Sequence, residues 1–429
     1  VTAAETEIPG HPAVAGSVPA YRDRNVLRWL AAYTASLVGD SVYFVALAWS
    51  AQKVSGPAEV GLVMATGALP RALLMLGGGV VADRFGPRRV VIGSDAVRCL
   101  LILGVAAVIA LTAPALWLLV AVALVFGAVD ALFVPAVGAL PPRITAPDQL
   151  ARVTGMRSLS MRLSQIAGPP TGGLAMGLGG PAAAFTVAGV LFALSLPLLI
   201  TVRLRPLESP HAPASADTPT GGSTARQDLI DGLRYIRRHR LILPLVISGA
   251  ICELGFTGVL NVGMILLNDA RGWGPSGYGW IIGAFGSGAA LSAALITVVG
   301  WVPRAGLLLP GTLYVGSAGA AGIALVPTLP LAAAVAAVVG LSAGIFGSLN
   351  NALIQTTADP AYLGRVTSVV MLATVGLAPL SFPLVGAAIG AWGVTAVFVG
   401  CGAFAGLGAT TALASGAVRR AGLPRAGRN

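Results

Sequence analysis

Gly79-Val-Val-Ala-Asp83-Arg84-Phe-Gly86-Pro-Arg88-Arg89 is a short charged island between two long apolar runs. Upstream, residues 58–82 carry only Glu59, Arg71 and no other charge before Asp83. Downstream, residues 89–111 hold Asp95 and Arg98 in an otherwise apolar stretch that begins at Arg89. A bilayer core of about 30 Å takes about 20 apolar residues as helix. Each run is therefore one predicted crossing, and the island is the turn between them.

The same alternation continues along the chain. It predicts spans at 26–50, 58–82, 89–111, 114–140, 150–178, 181–202, 241–267, 276–299, 305–326, 329–357, 363–390 and 393–417. Spans 3 and 4 are separated only by Pro114, and spans 5 and 6 only by Gly179-Gly180-Pro181. The fold class is all-α integral membrane, with twelve transmembrane helices. Composition agrees: 56% of residues are hydrophobic, 10% are charged, and the mean hydropathy is +0.84. A soluble domain carries about a quarter charged residues. Gly 57 and Pro 29 sit inside apolar runs, where small residues let membrane helices pack closely.

The formal net charge of +11 is explained by sidedness. Arg22, Arg24, Arg28, Arg84, Arg88, Arg89, Arg143 and Arg152 fall on one face. Arg203, Arg205, Arg226, Arg234, Arg237, Arg238, Arg240, Arg304, Arg365, Arg419, Arg420, Arg425 and Arg428 join them. The opposite loops hold only Lys53 and Arg271. The positive-inside rule then places both termini in the cytoplasm, with no need for a nucleic-acid partner. Lys53 is the only lysine, a bias that points to a high-GC bacterial genome. No cleavable signal peptide is expected, because residues 1–25 are polar. Cys99, Cys252 and Cys401 lie in apolar segments without metal-ligand spacing and are expected to be reduced packing residues.

The expected organisation is a polar cytoplasmic tail (1–25), a six-helix bundle (26–202), a cytoplasmic linker (203–240), a second bundle (241–417) and a basic tail (418–429). Within the linker, Leu229, Leu233 and Ile236 recur at helical spacing among four arginines, which suits an amphipathic helix on the inner membrane surface. The bundles repeat. Gly56-Pro57-x-x-x-Gly61 corresponds to Gly274-Pro275-x-x-x-Gly279, and Leu150-x-Arg152-Val153-Thr154 to Leu363-x-Arg365-Val366-Thr367. The offsets are 218 and 213 residues, each a shift of six spans.

The charged island resembles the loop signature of the major facilitator superfamily, with Gly79, Asp83, Arg84, Gly86, Arg88 and Arg89 at the motif positions. The carboxylate can cap a helix while the arginines bind carboxylates or lipid phosphates, a charge clamp that holds one conformation. The equivalent loop of the second half keeps only Gly300-Trp-Val-Pro-Arg304. A second stretch, Gly155, Ser164, Gly168, Pro169, Gly172 and Gly173, resembles the antiporter signature of drug/proton exporters, with Ser164 where the pattern has glycine. A Gly/Pro-rich stretch kinks a helix and admits a close partner. Phe133-x-Pro135-Ala136, Gly232-Leu-Arg-Tyr-Ile-Arg-Arg and Gly364-Arg365-Val366 are similar to the macrolide-efflux and enterobactin-exporter branch. The resemblance implies two pseudo-symmetric six-helix bundles and proton-coupled export.

Charges inside spans cost roughly 3 kcal/mol each on insertion scales, so they need partners or a wet cavity. Tyr33, Ser36, Asp40 and Tyr43 share one face of span 1, and Glu253, Thr257 and Asn261 one face of span 7. Span 10 carries Asn350, Asn351 and Gln355. The resemblance places spans 1, 4, 7 and 10 around a central cavity; the same stripes can instead join helices. Arg71, at a depth similar to Asp40, is expected to pair with it. Tyr33, Tyr43, Trp280 and Phe346 are the expected aromatic lining. Glu253 has no basic residue in any span of its half, and burial without a partner favours its neutral form. Glu253 is the first candidate for proton coupling, Asp40 the second, and Asp130 a third that can instead join the clamp. Asp95 and Arg98 are assigned to the clamp.

These readings predict a non-enzymatic, monomeric exporter of small amphipathic molecules in the cytoplasmic membrane, coupled to protons and without cofactor or metal. A dedicated exporter of a siderophore or antibiotic is the alternative. The span-5 signature argues against an importer or lipid flippase. A membrane enzyme lacks support, because His11, His211 and His239 lie outside the spans and no phosphate-binding loop is present.

Overall fold

The computed structural model describes residues 19–205, 225–299, 304–360 and 362–422. The expectations for residues 1–18, the linker at 206–224, the loop at 300–303 and the tail at 423–429 lie outside the described residues. All regular structure among the described residues is helical. Helix α1 spans Arg24–Val54, α2 Pro57–Phe85, α3 Pro87–Leu111 and α4 Leu116–Gly138. Helix α5 runs Leu150–Thr201, and the linker helix α6 runs Ala225–Arg238. Then come α7 (Ile242–Ala270), α8 (Gly274–Val299), α9 (Ala305–Leu325), α10 (Leu329–Thr357), α11 (Leu363–Trp392) and α12 (Val394–Ala414).

Helix ends follow local chemistry. Asp23 caps α1 by accepting from the Asn25 amide at 2.8 Å. Pro57 and Pro87 open α2 and α3 at positions where a missing N–H costs nothing. Gly86 joins α2 to α3 with φ +86°, a backbone that explains the glycine of the charged island. Arg304, 218 residues later, takes a left-handed conformation (φ 61°) at the start of α9.

Among the described residues ten helices are long and apolar enough to cross a membrane, and α2 makes eleven if its two parts, bent by 63° between Pro57–Leu74 and Gly77–Phe85, count as one span. Large apolar side chains line their outer faces, Leu178 at 88% exposure and Trp117 at 73% among them. In water such surface would be costly; against lipid it is expected.

Helix α5 is not one straight rod. Gly180 breaks it with φ 67° and ψ −161°. Gly168 and Gly172 on its first limb lie against Ser41, Val42 and Val45 of α1, while Ala188 and Phe192 on its second limb lie against Gly39. Both limbs therefore meet α1 at one depth, and the chain doubles back at Gly180. The two spans expected at 150–178 and 181–202 are the limbs of this helical hairpin.

The halves meet in two reciprocal seams of backbone on backbone. Gly61 of α2 lies on Phe382 and Pro383 of α11, and Gly279 of α8 lies on Pro169 and Pro170 of α5. Gly386 of α11 touches Pro57, and Gly173 of α5 touches Pro275. Positions 61 and 279, or 57 and 275, differ by 218; positions 169 and 382, or 173 and 386, differ by 213. These are the offsets of the sequence repeats, so the repeat in sequence is a pseudo-two-fold in contacts.

At Gly173 and Gly386 a Cβ would run into main chain, which cannot move aside. Gly173→Val and Gly386→Val should each cost about 1–3 kcal/mol, read as a lower thermal midpoint in detergent. Gly155→Val, in open surroundings, should leave the midpoint unchanged; an equal fall would discount the seam.

Candidate functional site

A cavity of about 780 Å³ lies where the halves face each other. The N-terminal half contributes Ser41, Arg162, Gln165 and Pro169. The C-terminal half contributes Glu253, Phe256, Thr257, Leu260 and Asn261 from α7, Tyr278 and Phe285 from α8, and Phe346, Asn350 and Asn351 from α10. The contacts joining the halves run from the arginine-poor end as far as Gln165 and Gly286. Of the antiporter-like residues, Pro169 lines the cavity and Gly173 lies in the seam beyond it, while Gly168 and Gly172 pack against α1. Ser164 is buried and donates to Ser160 O at 2.9 Å, a small residue packed near Thr34. Gly155 stands apart from the seam.

On α7 the sequence stripe is realised. Thr257 Oγ1 donates to Glu253 Oε1 at 2.7 Å, and Asn261 Nδ2 donates to Thr257 O at 2.9 Å. The stripe ends in a π-helical turn, Val259–Gly263, which carries Leu260 and Asn261 into the cavity wall. Such wide turns recur at functional sites because they re-aim side chains and free a carbonyl. Glu253 makes no ion pair among the described residues. Asn350, only 8% exposed, has an Oδ1 without a hydrogen-bond partner among the described residues. The cavity therefore holds a carboxyl group, unsatisfied amide capacity and aromatic walls, with the guanidinium of Arg162 on the opposite side.

The α1 stripe goes elsewhere. Tyr33, Ser36, Asp40 and Tyr43 point into the N-terminal bundle, not into the cavity. Tyr33 stacks on Trp29 with centroids 5.7 Å apart and lies under Arg157 at 5.6 Å. Tyr43 stacks on Phe126 at 3.8 Å. Ser36 Oγ donates to Asp95 Oδ2 at 2.5 Å. The helix-joining alternative holds for this face, and α1 offers the cavity Ser41, the next residue round the helix from Asp40.

Asp40 belongs to a buried ionic cluster centred on Arg98, which has no exposed surface. Its guanidinium pairs with Asp40 at 3.4 Å, with Asp95 at 3.5 Å, and with Asp130. Arg71 Nε pairs with the other oxygen of Asp130 at 2.9 Å. Ser195 Oγ donates to Asp95 Oδ2 at 2.5 Å. Phe133 packs a ring 4.1 Å from the guanidinium carbon, with Phe126 and Phe192 at 5.2 and 5.8 Å. Two assignments change. Arg71 takes Asp130 as its partner, because Arg98 already stands beside Asp40. Asp95 and Arg98 belong to this cluster and not to the loop clamp, because their face of α3 is turned into the bundle.

The clamp expected at the charged island is open. Asp83, Arg84 and Arg89 are exposed, and Asp83 has no hydrogen bond or ion pair among the described residues. Arg88 does hold the loop, donating from Nη2 to Ile200 O at 2.5 Å. Gly79 lies on the α2 face above it, with open space around its Cα.

Two further residues leave the expected lining. Trp280 is 61% exposed, because α8 turns Tyr278, Ile282, Phe285 and Ala289 inward and a residue two places from Tyr278 faces away. Gln355 is exposed beyond the cavity. Sequence reasoning missed Arg162 and Gln165 as lining. Their signal was spacing: 162, 165, 169 and 173 recur on one face of α5. The three cysteines are free, and no cluster of potential metal ligands occurs among the described residues.

The chain matches the profile of the Major Facilitator Superfamily over residues 29–374. It is 28% identical to the multidrug efflux pump Tap of Mycolicibacterium fortuitum, over 86% of this chain and 90% of that protein. It is 27% identical to the enterobactin exporter EntS of Escherichia coli, over 72% of this chain and 71% of that one. Among solved structures, a bacterial homolog of the human lysosomal transporter Spinster superposes with a TM-score of 0.71, covering 93% of this chain and 97% of its own at 14% identity.

Removing the hub cation should be the most damaging single change in the N-terminal half. Arg98→Leu leaves buried carboxyls without a counter-charge and should cost about 3–5 kcal/mol, seen as a depressed thermal midpoint. Asp95→Asn, which keeps the serine contacts and the other two acids, should cost less than half as much. The reverse order would remove Arg98 from the centre of the cluster.

Proposed function

The chain belongs to the Major Facilitator Superfamily, which makes it a multi-pass membrane transporter, and on that premise we propose a secondary active exporter of small amphipathic organic compounds, driven by proton antiport. Counting the hairpin α5 as two crossings, the chain crosses twelve times, with both termini in the cytoplasm of a high-GC bacterium. It works as a monomer, since both halves contribute to one cavity. The arginine-rich end is cytoplasmic by the positive-inside rule. The seams close the other end, so the cavity faces the cytoplasm, the side from which an exporter loads.

The observation that carries the reading is Glu253 in the cavity wall. Its one hydrogen bond comes from Thr257, and no cation neutralises it among the described residues. A carboxyl in a cavity wall without a counter-charge can bind a proton or a cationic substrate in turn. That competition is the physical core of exchange: a proton from outside displaces the substrate, and a substrate from inside displaces the proton. The aromatic surfaces of Phe256, Phe285 and Phe346 suit the apolar part of the cargo. Asp40 is the second candidate for the coupled proton: it is partly exposed, and its Oδ1 accepts no hydrogen bond. Asp130, with both oxygens on arginines, is held more tightly.

The likeness to Tap supports a multidrug substrate range, and the likeness to EntS supports the alternative, a dedicated exporter of a siderophore. Drug accumulation in an efflux-deficient host separates them. Wild type should lower accumulation of at least one cationic amphiphile in an uncoupler-sensitive manner, and Glu253→Gln at equal expression should abolish that effect at least tenfold. No change with wild type across a broad panel would favour the dedicated exporter. Retained, uncoupler-sensitive export by Glu253→Gln would remove Glu253 from coupling.

A further inference from the structure

Helix α6 has two faces, and among the described residues only one packs against the rest of the protein. Inward, Gly232 lies on Arg365 and Ile236 is buried. Tyr235 stacks on Tyr362 with centroids 4.6 Å apart and planes 8° from parallel. Its hydroxyl accepts from the Asp359 amide at 3.1 Å. His239 Nδ1 accepts from the amides of Leu241 and Ile242 at 3.3 and 3.2 Å, which ties α6 to the first turn of α7. The linker helix is therefore fixed to α7, which carries Glu253, and to the start of α11, which carries a seam.

Outward, Ile230, Leu233, Arg234, Arg237 and Arg238 recur at steps of three, four and one and line a groove of about 490 Å³. Ile230 and Leu233 are 40% and 45% exposed. Arg234 is balanced by Asp231 at 3.0 Å. Arg237 and Arg238 are exposed and have no ion-pair partner among the described residues. Apolar surface beside uncompensated guanidinium groups is an arrangement that neither water nor a lipid interior satisfies. The groove also has a fixed depth: Arg238 is four residues before Ile242, where an apolar membrane helix begins. That short step from the membrane helix keeps its arginines within reach of lipid headgroups.

We propose that the outer face of α6 is a binding site for anionic phospholipid. Arg237 and Arg238 hold the headgroup phosphate through charge-assisted hydrogen bonds, and Ile230 and Leu233 cover the upper acyl chain. Because α6 is fixed to both α7 and α11, an occupied site also braces the arginine-rich end of the C-terminal half. The inference rests on the membrane placement of the chain and not on the identity of its cargo.

The test uses the purified full chain, exchanged into mixed micelles of phosphatidylglycerol and phosphatidylcholine, with retained lipid counted by native mass spectrometry. Wild type should retain phosphatidylglycerol several-fold over phosphatidylcholine. Arg237→Gln/Arg238→Gln should lose that preference with an unchanged thermal midpoint, and Arg419→Gln/Arg420→Gln, altering exposed arginines at the same end, should keep it. Equal phosphatidylglycerol retention by the α6 variant overturns the proposal, as does an equal loss in the Arg419/Arg420 control, which would mean diffuse charge. Inorganic phosphate at millimolar concentration should not displace the lipid; full displacement would identify a soluble-anion site instead. If the glutamine variant fails to fold, Leu233→Ser, which keeps both guanidinium groups, must still reduce phosphatidylglycerol retention.

Discussion

The N-terminal half is organised around one guanidinium that has no access to solvent. Arg98 reaches Asp40 on α1, Asp95 on its own helix and Asp130 on α4, and Asp130 in turn holds Arg71 of α2. Ser195 brings the second limb of α5 to Asp95. Helices in lipid gain little from apolar burial, so packing and interhelical polar contacts must join them. Here one cation pairs with acids of α1, α3 and α4, those acids extend the network to α2 through Arg71 and to α5 through Ser195, and three phenylalanine rings screen it. Three acids face two arginines, and Asp40, whose Oδ1 accepts no hydrogen bond, lacks the second contacts that hold Asp95 and Asp130.

Among the described residues the C-terminal half has no such hub. It is joined by glycine on backbone instead, as where Gly288 meets Ala337 and Gly340 meets Phe285 between α8 and α10. This asymmetry has a consequence for the cavity. In the N-terminal half Asp40, Asp95 and Asp130 are committed to arginines, and the cavity sees Ser41, Arg162, Gln165 and Pro169. In the C-terminal half Glu253 is left uncommitted, and a π turn on the same helix presents Asn261 beside it. One half is built for rigidity and the other for binding, although their backbones are related by the same two offsets.

The seams explain how such halves can move. They are made by small residues at matched positions, with almost no side chain between them. Contact of that kind is close and flat, and it can part without rupturing an ion pair. The charged island at the other end has Asp83 exposed and unengaged, in keeping with a structure joined at one end and parted at the other.

Much of this was legible in the residues. Lipid as solvent forces long apolar runs, so the helices, their approximate ends and the arginine asymmetry could be read directly. The two repeat offsets fixed which helices correspond. The α7 stripe was legible because Glu253, Thr257 and Asn261 bond along one helix, where spacing alone decides what meets. The α1 stripe was misread because spacing gives a face but not its direction. Tyr33, Ser36, Asp40 and Tyr43 form a true stripe, and only the position of α3 and α4 turned it inward. Arg71 and Trp280 failed for the same reason: depth along a helix is a sequence property, while azimuth against neighbours belongs to the packed bundle. The sequence by itself determined that the chain is helical and membrane-spanning, since lipid demands that long apolar runs satisfy their backbone groups internally, and its two motif offsets carried the twofold repeat. Only the tertiary structure decided which carboxyl groups are bound to arginine and which one faces the cavity, because ion pairing depends on the rotation of whole helices about their axes.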